Sequence, residues 1–427
     1  MKRLLLQRLT TALTVPLALA ACGSNPTAST PGFTVNLVTL NAAATQGVPV
    51  QSQAIIKATG GFNGAVTASL VDPPLGVTLT ADPVQVNSAD AYLRLTLNVT
   101  NDTPLFTKVK VRFSGQGVTQ ERDVQFVSQP SFTPPGLQAA VRIEKLLRAP
   151  DGTLWLSAGQ HQVESNAIFR FDPAARTWRT YRLLQQASSF TDTDTYDFLI
   201  APDGMIWAVV QDPVALLRLN PTNGAVDIFT PEDNANLLTS ISRASNGHLW
   251  IKRQNNTFTE FDPASLEFKE YTVPDAQLTS RSTMDAQDNL WFMQFPSNPA
   301  LVQFNTTTKT FKKFPIGGTD MPYSSVDAKD HVWYVDSRTN TLGVLDPSTG
   351  TIDQRLLPKS FKGGDFKLDP FGGMWTLQEG ALKLFDLEED RLLSLPTVGN
   401  ALSLEFAPNG DIWYVNSDGR LVSFPLE

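Results

Sequence analysis

Hydrophobic and polar residues alternate with a period of two through most of the chain after residue 33. This alternation predicts half-buried β-strands, because successive side chains of a strand point to opposite faces of its sheet. Between residues 33 and 129 the alternating runs are short and separated by Gly, Pro, Asn and Asp, which predicts a β-sandwich. The predicted strands are Thr34–Leu40, Val48–Lys57, Ala65–Leu70, Tyr92–Val99, Lys108–Phe113 and Asp123–Val127.

In the rest of the chain a tryptophan recurs seven times at intervals of about 42 residues. Each of these tryptophans ends a similar motif, such as APDGTLW or ASNGHLW, and a second motif such as IFRFDP or FTEFDP follows most of them. Asp-Gly marks a tight hairpin and Asp-Pro another turn, so each repeat predicts a four-stranded sheet with the tryptophan packed between neighbouring sheets. The tryptophans are Trp155, Trp207, Trp250, Trp291, Trp333, Trp375 and Trp413.

Seven such sheets bury both their faces only when they pack around a common axis, so residues 137–427 are predicted to form a seven-bladed β-propeller and the whole chain is predicted to be all-β. The Asp-Gly-x-[Ile/Leu]-Trp element and the Asp-Pro turn resemble those of the streptogramin (virginiamycin B) lyase and NHL propellers. The last repeat ends on its third strand. Either a short edge strand near Ser131–Gln138 completes it, or the last blade has three strands.

The first predicted domain also carries a resemblance. The stretch from Gly60 to Thr67, with the Pro-Leu-Gly-Val-Thr run at Pro74, is similar to a bacterial Ig-like module. That resemblance implies a spacer or an adhesive role without chemistry. Residues 130–136 are predicted to link this Ig-like β-sandwich to the propeller.

The N-terminus is predicted to be an export signal. Residues 1–21 combine a basic start with a short apolar run, and Leu19-Ala20-Ala21-Cys22 resembles the lipobox of bacterial lipoproteins. The resemblance implies that the thiol of Cys22 is acylated and that the protein is anchored to the extracytoplasmic face of a bacterial membrane. Residues 22–32 contain nothing to bury and are predicted to be a flexible tether.

Composition excludes several functions. The chain has a formal net charge of −8, which disfavours nucleic acid as a partner. Its single cysteine excludes an intrachain disulfide and a cysteine-rich zinc site, and its three histidines leave few ways to build a histidine-based metal site. No cofactor is predicted with certainty, and the chain is expected to be a monomer.

The predicted binding surface is the rim opposite the Asp-Gly turns. Side chains ten residues before each tryptophan are predicted to form a polar ring at the channel mouth, and they include Lys145, Asp197, Arg281, Tyr323 and Asp365. The loops between strands are longest in blades 1 and 2, and long loops on one face of a repeat protein often bind its partner. These two segments, Ala158–Ala167 and Ala187–Tyr196, add His161, Glu164, Asp192 and Asp194.

Two kinds of site are compatible with this rim. Asp192, Asp194 and Asp197 are candidate ligands for a divalent cation such as Mg²⁺ or Ca²⁺, although a solvated acidic loop is the alternative. The resemblance to the lyases implies a catalytic histidine and a metal held by Glu and His. His248 and His331 lie in turns on the opposite rim, where we expect them to be solvated, and His161 has no evident partner beyond Glu164.

The sequence therefore favours a binding module. A partner protein, a glycan or a small ligand is expected on the blade 1–2 side of the rim, with a lipid anchor as the only membrane attachment. A metal-dependent lyase or lactonase of the streptogramin lyase or gluconolactonase type is the alternative.

Overall fold

The fold is given by a computed structural model. It describes residues 30–424 except 39–42, 88, 101, 105, 136–141, 160–166, 184–194, 212, 233–235, 255, 275–277, 280, 296–297, 318–322, 337–338, 359–360, 362–365, 387–390 and 396. Every regular element in these residues is a β-strand, so the predicted all-β class is confirmed. No described segment is a helix long and apolar enough to cross a bilayer. The chain divides into two compact units, with the main boundary between Ser131 and Phe132.

The first unit consists of two sheets around one core. Its strands are β1 (Gly32–Val38), β2 (Ala43–Thr45), β3 (Val50–Thr59), β4 (Gly64–Val71), β5 (Val77–Ala81), β6 (Val84–Val86), β7 (Ala91–Val99), β8 (Phe106–Gly115) and β9 (Val118–Gln129). One sheet has the order β1-β3-β7-β5 and the other β2-β9-β8-β4-β6. Alternate residues of both sheets, such as Leu93 and Val111, enter a single buried cluster, as the period-two pattern predicts.

The second unit contains seven antiparallel sheets, called blades 1 to 7 in chain order. A short strand β10 (Ser131–Phe132) spans the boundary of the two units and precedes the blades in the chain. Blade 1 comprises β11 (Arg142–Arg148), β12 (Leu154–Gly159), β13 (Ala167–Asp172) and β14 (Thr177–Arg182). Blade 2 comprises β15 (Thr195–Ile200), β16 (Ile206–Val210), β17 (Ala215–Leu219) and β18 (Val226–Phe229). Blade 3 comprises β19 (Leu238–Arg243), β20 (Leu249–Arg253), β21 (Thr257–Asp262) and β22 (Glu267–Thr272).

The remaining blades follow the same plan. Blade 4 has a divided first strand, β23 (Leu278–Thr279) and β24 (Thr283–Met284), followed by β25 (Asn289–Phe295), β26 (Ala300–Asn305) and β27 (Thr310–Pro315). Blade 5 comprises β28 (Tyr323–Val326), β29 (Val332–Asp336), β30 (Thr341–Asp346) and β31 (Thr351–Leu356). Blade 6 comprises β32 (Phe366–Leu368), β33 (Met374–Gln378), β34 (Ala381–Asp386) and β35 (Arg391–Leu395). Blade 7 comprises β36 (Ala401–Phe406), β37 (Ile412–Asn416) and β38 (Leu421–Phe424).

The tryptophan of each repeat lies on the second strand, as predicted, and the core runs between the blades. Trp155 packs into a buried cluster with blade 2, Trp250 into one with blade 4, and Trp291 into one with blade 5. Val415 of blade 7 packs with Leu156 of blade 1, so the first and last blades are neighbours. The seven blades therefore form a closed ring in which each sheet buries both faces against its neighbours.

The ring is closed by β10. This strand pairs with β38 and completes a four-stranded blade 7, so the short edge strand expected near Ser131–Gln138 is the alternative that the structure takes. Phe132 holds it in place, with its ring centroid 4.6 Å from that of Phe171 and 6.1 Å from that of Trp413. The strand ends after two residues, before Pro134 and Pro135, which have no N–H to donate to a ladder.

The hairpin between the first two strands of a blade needs a positive φ at one position. Glycine supplies it in five blades, for example Gly247 with a φ of 93°, but blades 4 and 5 have Asp288 and Asp330 there, with φ values of 62° and 64°. A left-handed non-glycine residue costs about 1 kcal/mol. Each of these aspartates also bonds the preceding blade, since Asp288 accepts the N–H of Ser245 at 2.7 Å and Asp330 accepts that of Ala286 at 3.0 Å. These contacts offset the strain and tie blade 3 to blade 4 and blade 4 to blade 5.

Candidate functional site

A β-bulge recurs at one position in the first strand of blades 1, 2, 3 and 7. It falls between Ile143 and Lys145, between Thr195 and Asp197, between Leu238 and Ser240, and between Ala401 and Ser403. Two residues apart in a regular strand share a face, but a bulge places them on opposite faces. Thr195 thus pairs with Val210 and faces blade 1, whereas Asp197 pairs with Val209 and faces blade 3.

The carboxylate of Asp197 joins the first strands of three blades. Its Oδ1 accepts a hydrogen bond from the ammonium of Lys145 in blade 1, and its Oδ2 accepts the N–H of Ile241 in blade 3 at 3.0 Å. Oδ1 also accepts the N–H of Phe198 at 2.9 Å. Lys145 in turn donates to the carbonyl of Phe198 at 2.9 Å. Asp197 is only 5% exposed, so this ion pair is largely shielded from water.

Two buried hydroxyls lie beside this ion pair. Ser157 is the strand partner of Lys145 and faces blade 2, while Thr195 faces blade 1. Both residues have no exposed surface, and neither hydroxyl has a hydrogen-bond partner in the described part of the chain. Burying a hydroxyl without a hydrogen-bond partner destabilises the fold by about 1–3 kcal/mol. A ligand at the junction of blades 1 and 2 could form hydrogen bonds with both hydroxyls.

Of the residues predicted for the binding rim, the structure brings Lys145 and Asp197 into contact in the ion pair. Arg281 is exposed before β24, and Tyr323 begins β28. His161, Glu164, Asp192, Asp194, Asp365 and Cys22 lie outside the described residues. Within the described residues, no group of three His, Cys, Asp or Glu side chains is close enough to hold a metal ion. The carboxylate of Asp197 already accepts three hydrogen bonds from protein groups, so in this arrangement it is not positioned as a metal ligand.

Three of the residues ten before a tryptophan reach the next blade. Lys145 binds Asp197 of blade 2, Asp197 accepts the N–H of Ile241 in blade 3, and Ser240 faces blade 4. Asp197 and Ser240 are buried, and the hydroxyl of Ser240 lies 3.3 Å from that of Ser282 in blade 4. A comparable link joins Lys367 of blade 6 to Glu405 of blade 7 at 2.9 Å. Alternation predicted which side of these strands is polar, and in blades 1, 2, 3 and 6 side chains of that side contact a neighbouring blade.

The sequence analysis did not identify Ser157 and Lys252, although both stand out when the seven repeats are aligned on their tryptophans. The residue two positions after each tryptophan is apolar in five repeats, namely Val209, Met293, Val335, Leu377 and Val415. Blade 1 has Ser157 there and blade 3 has Lys252, and both are buried. A polar residue at a position that the fold otherwise keeps apolar marks a place where function competes with packing.

The histidines of the opposite rim are bonded rather than simply solvated. Nδ1 of His248 lies 2.9 Å from Oε1 of Glu260, which also binds the ammonium of Lys309 at 2.8 Å. Tyr271 donates its hydroxyl to the same carboxylate at 2.8 Å. Burial alone would raise the pKa of Glu260, but these hydrogen bonds hold it below its ordinary value. Burial and the Glu260 charge raise the pKa of Tyr271. The cluster ties blade 3 to blade 4 and supports the ring.

Comparisons with known proteins agree with the fold. Virginiamycin B lyase from Staphylococcus aureus aligns with a TM-score of 0.57 and 16% identity, over 69% of this chain and 98% of the lyase. A structure of YCF48 bound to D1 peptide gives 0.54 and 11%, over 69% and 94% of the two chains. The WD40 propeller domain of Doa1 gives 0.50 and 14%, over 69% and 98%. No family model and no curated protein matches the chain. Identities this low establish the β-propeller fold alone, which confirms the prediction from the repeats.

Proposed function

We propose that the propeller is a binding module whose ligand, a neutral glycan, is held at the rim between blades 1 and 2. The observation that carries the proposal is the pair of buried, unpartnered hydroxyls of Ser157 and Thr195 beside the Lys145–Asp197 ion pair. Hydroxyls both donate and accept hydrogen bonds, and so do the hydroxyl groups of a sugar. A ligand that satisfies both side chains would recover the free energy that their burial costs.

The position of these groups in the blades supports the same proposal. Ser157 lies near the end of β12 and Thr195 begins β15, so both adjoin the segments that the sequence analysis identified as unusually long. Propellers often bind with the loops of one rim, because the ring holds those loops on a rigid base. We further propose that the first unit is an Ig-like spacer and that Cys22 carries a lipid anchor, which together would present the propeller at an envelope surface.

The binding proposal is tested with maltotriose and chitotriose as probes, by calorimetric titration of the full chain. We expect at least one sugar to bind the wild type, and the double variant Ser157→Ala/Thr195→Val to weaken that binding by about tenfold or more, since two hydrogen bonds are lost. The variant should fold at least as well as the wild type because it removes unsatisfied polar groups.

The matched control is Thr45→Val in the first unit. Thr45 is also a buried threonine whose hydroxyl has no partner in the described residues, but it lies outside the propeller. It should leave sugar binding unchanged. Equal binding by wild type and by the blade 1–2 double variant, or no binding of either sugar by the wild type, would show that this junction is not a glycan site.

The anchor is tested separately by Cys22→Ser. We expect this change to move the protein from the membrane fraction to the soluble fraction of its bacterial host, because a stable anchor requires the acyl chains that the thiol accepts. The measurement is the partition of the protein after ultracentrifugation, with Ser24→Ala as the control. Unchanged membrane association of the Cys22→Ser variant would exclude the lipid anchor without bearing on the glycan site.

A further inference from the structure

We propose that the junction of blades 3 and 4 contains a second binding site, specific for a carboxylate, in which Lys252 is the principal cationic group and the hydroxyls of Ser240 and Ser282 are its hydrogen-bond donors. This site is separate from the glycan site proposed for blades 1 and 2. Two observations support it, the burial of Lys252 and the residues around its side chain.

Lys252 occupies a position that other blades fill with an apolar side chain. It follows Trp250 by two residues and shares its side of β20, where Trp250 packs against Phe292 of blade 4. The side chain is 2% exposed. Its ammonium lies 5.8 Å from the ring centroid of Phe258 and donates to the carbonyl of Arg253. Among the described residues it forms no ion pair, so its charge is buried without a counter-charge.

Arg253, the next residue, is a buried cation whose charge is balanced within the same blade. Arg253 has no exposed surface and faces the opposite side of β20, toward blade 2. Its guanidinium lies 3.2 Å from the carboxylate of Glu270 and donates to the hydroxyl of Thr259 at 2.8 Å. A buried charge is strongly unfavourable unless it is paired and hydrogen-bonded. Arg253 is paired with a carboxylate of the protein, whereas Lys252 would be paired only when an anion binds beside it.

Hydroxyl donors lie on the same side as the lysine. Ser240 is the strand partner of Lys252 on β19, and the bulge in that strand aims it toward blade 4. There its hydroxyl meets that of Ser282 at 3.3 Å. Ser282 is half-buried and follows the exposed Arg281, so the pair lies where the junction reaches the surface. An ammonium and two hydroxyls suit the two oxygens of a carboxylate.

The site is tested by titrating the full chain at pH 7 and constant ionic strength with sodium lactate, with an N-acetylated dipeptide ending in a free carboxylate, and with the amide of that dipeptide. We expect the carboxylates to bind and the amide not to bind. Preference for the dipeptide would identify a protein C-terminus as the natural ligand, and preference for lactate a small organic acid. Affinity should fall as the pH rises above about 8, because burial lowers the pKa of Lys252 to about 8.

The deciding variant is Lys252→Met, which gives blade 3 the residue that blade 4 has at Met293. We expect the affinity for the bound carboxylate to fall by about tenfold or more, since a charge-assisted hydrogen bond is lost. Lys269→Met, which removes an exposed lysine of the same blade, should leave the affinity unchanged. Failure of all three probes to bind the wild type, equal affinity in the Lys252→Met variant, or equal binding of chloride would each overturn the proposal. None of these results would affect the glycan titration.

Discussion

Replacing Lys252 with methionine is expected to stabilise the ligand-free propeller by about 3 kcal/mol at pH 7. Burial lowers the pKa of this lysine from 10.5 to about 8, and a difference of that size corresponds to about 3 kcal/mol of destabilisation of the charged form. The penalty is fully present below pH 8. Between about pH 8 and 10.5 the unfolded chain binds a proton that the folded chain does not, so the wild type gains stability as the pH rises. The advantage of the methionine variant should therefore disappear across that range.

The measurement is urea denaturation followed by tryptophan fluorescence between pH 7 and 10.5. All eight tryptophans lie between Trp155 and Trp413, so this signal reports on the second unit. Lys269→Met is again the control and should leave both the stability and its pH dependence close to those of the wild type. A lower stability for Lys252→Met at pH 7 would mean that the buried ammonium is compensated within the protein and needs no bound carboxylate.

Replacing Asp197 with alanine is expected to destabilise the propeller by about 3 kcal/mol or more. Removal of one member of a buried ion pair leaves the other charge uncompensated, which costs about 3–5 kcal/mol. In this case the backbone N–H groups of Phe198 and Ile241 also lose their acceptor. Lys145→Met should cost less, because the carboxylate keeps both N–H donors. The loss in the double variant should be smaller than the sum of the two single losses, since the residues contact each other.

The control for this prediction is Asp227→Ala on the outer strand of the same blade. Asp227 accepts a hydrogen bond from Arg218 at 2.7 Å, but its side chain is 55% exposed. An exposed pair of this kind contributes about 0–1 kcal/mol, so its loss should hardly change the urea midpoint. If Asp197→Ala and Asp227→Ala have equal effects, Asp197 does not join blades 1, 2 and 3 in the way the structure indicates.

Stability and binding oppose each other at the two proposed sites. Ser157 and Lys252 both replace an apolar residue on the second strand, and in the absence of a ligand each makes its blade less stable. Proteins tolerate such positions when binding restores the lost free energy. Both proposed sites therefore rest on these two polar residues at a position that is apolar in the other repeats.

The class and the plan of the fold could be predicted from the sequence alone. The period-two alternation located six strands of the first unit but missed the short strands β2, β5 and β6. The seven tryptophan motifs predicted the number of sheets in the second unit, because both signals act within a single strand or hairpin. The sequence also predicted that Lys145 and Asp197 belong to one polar side of neighbouring first strands. The bonding of His248 to Glu260 was not predicted, because the contact joins different strands and gains Lys309 from another blade.

The contacts of the polar positions depend on how the blades pack against each other. A bulge turns Thr195 toward blade 1 and Asp197 toward blade 3, and no sequence period reveals that change of direction. The closing strand depends on Phe132 meeting rings from blades 1 and 7, which are far apart in the chain. Whether a buried lysine has a carboxylate partner likewise depends on which blades adjoin, and for that reason Lys252 and Arg253, neighbours in sequence, have different electrostatic surroundings.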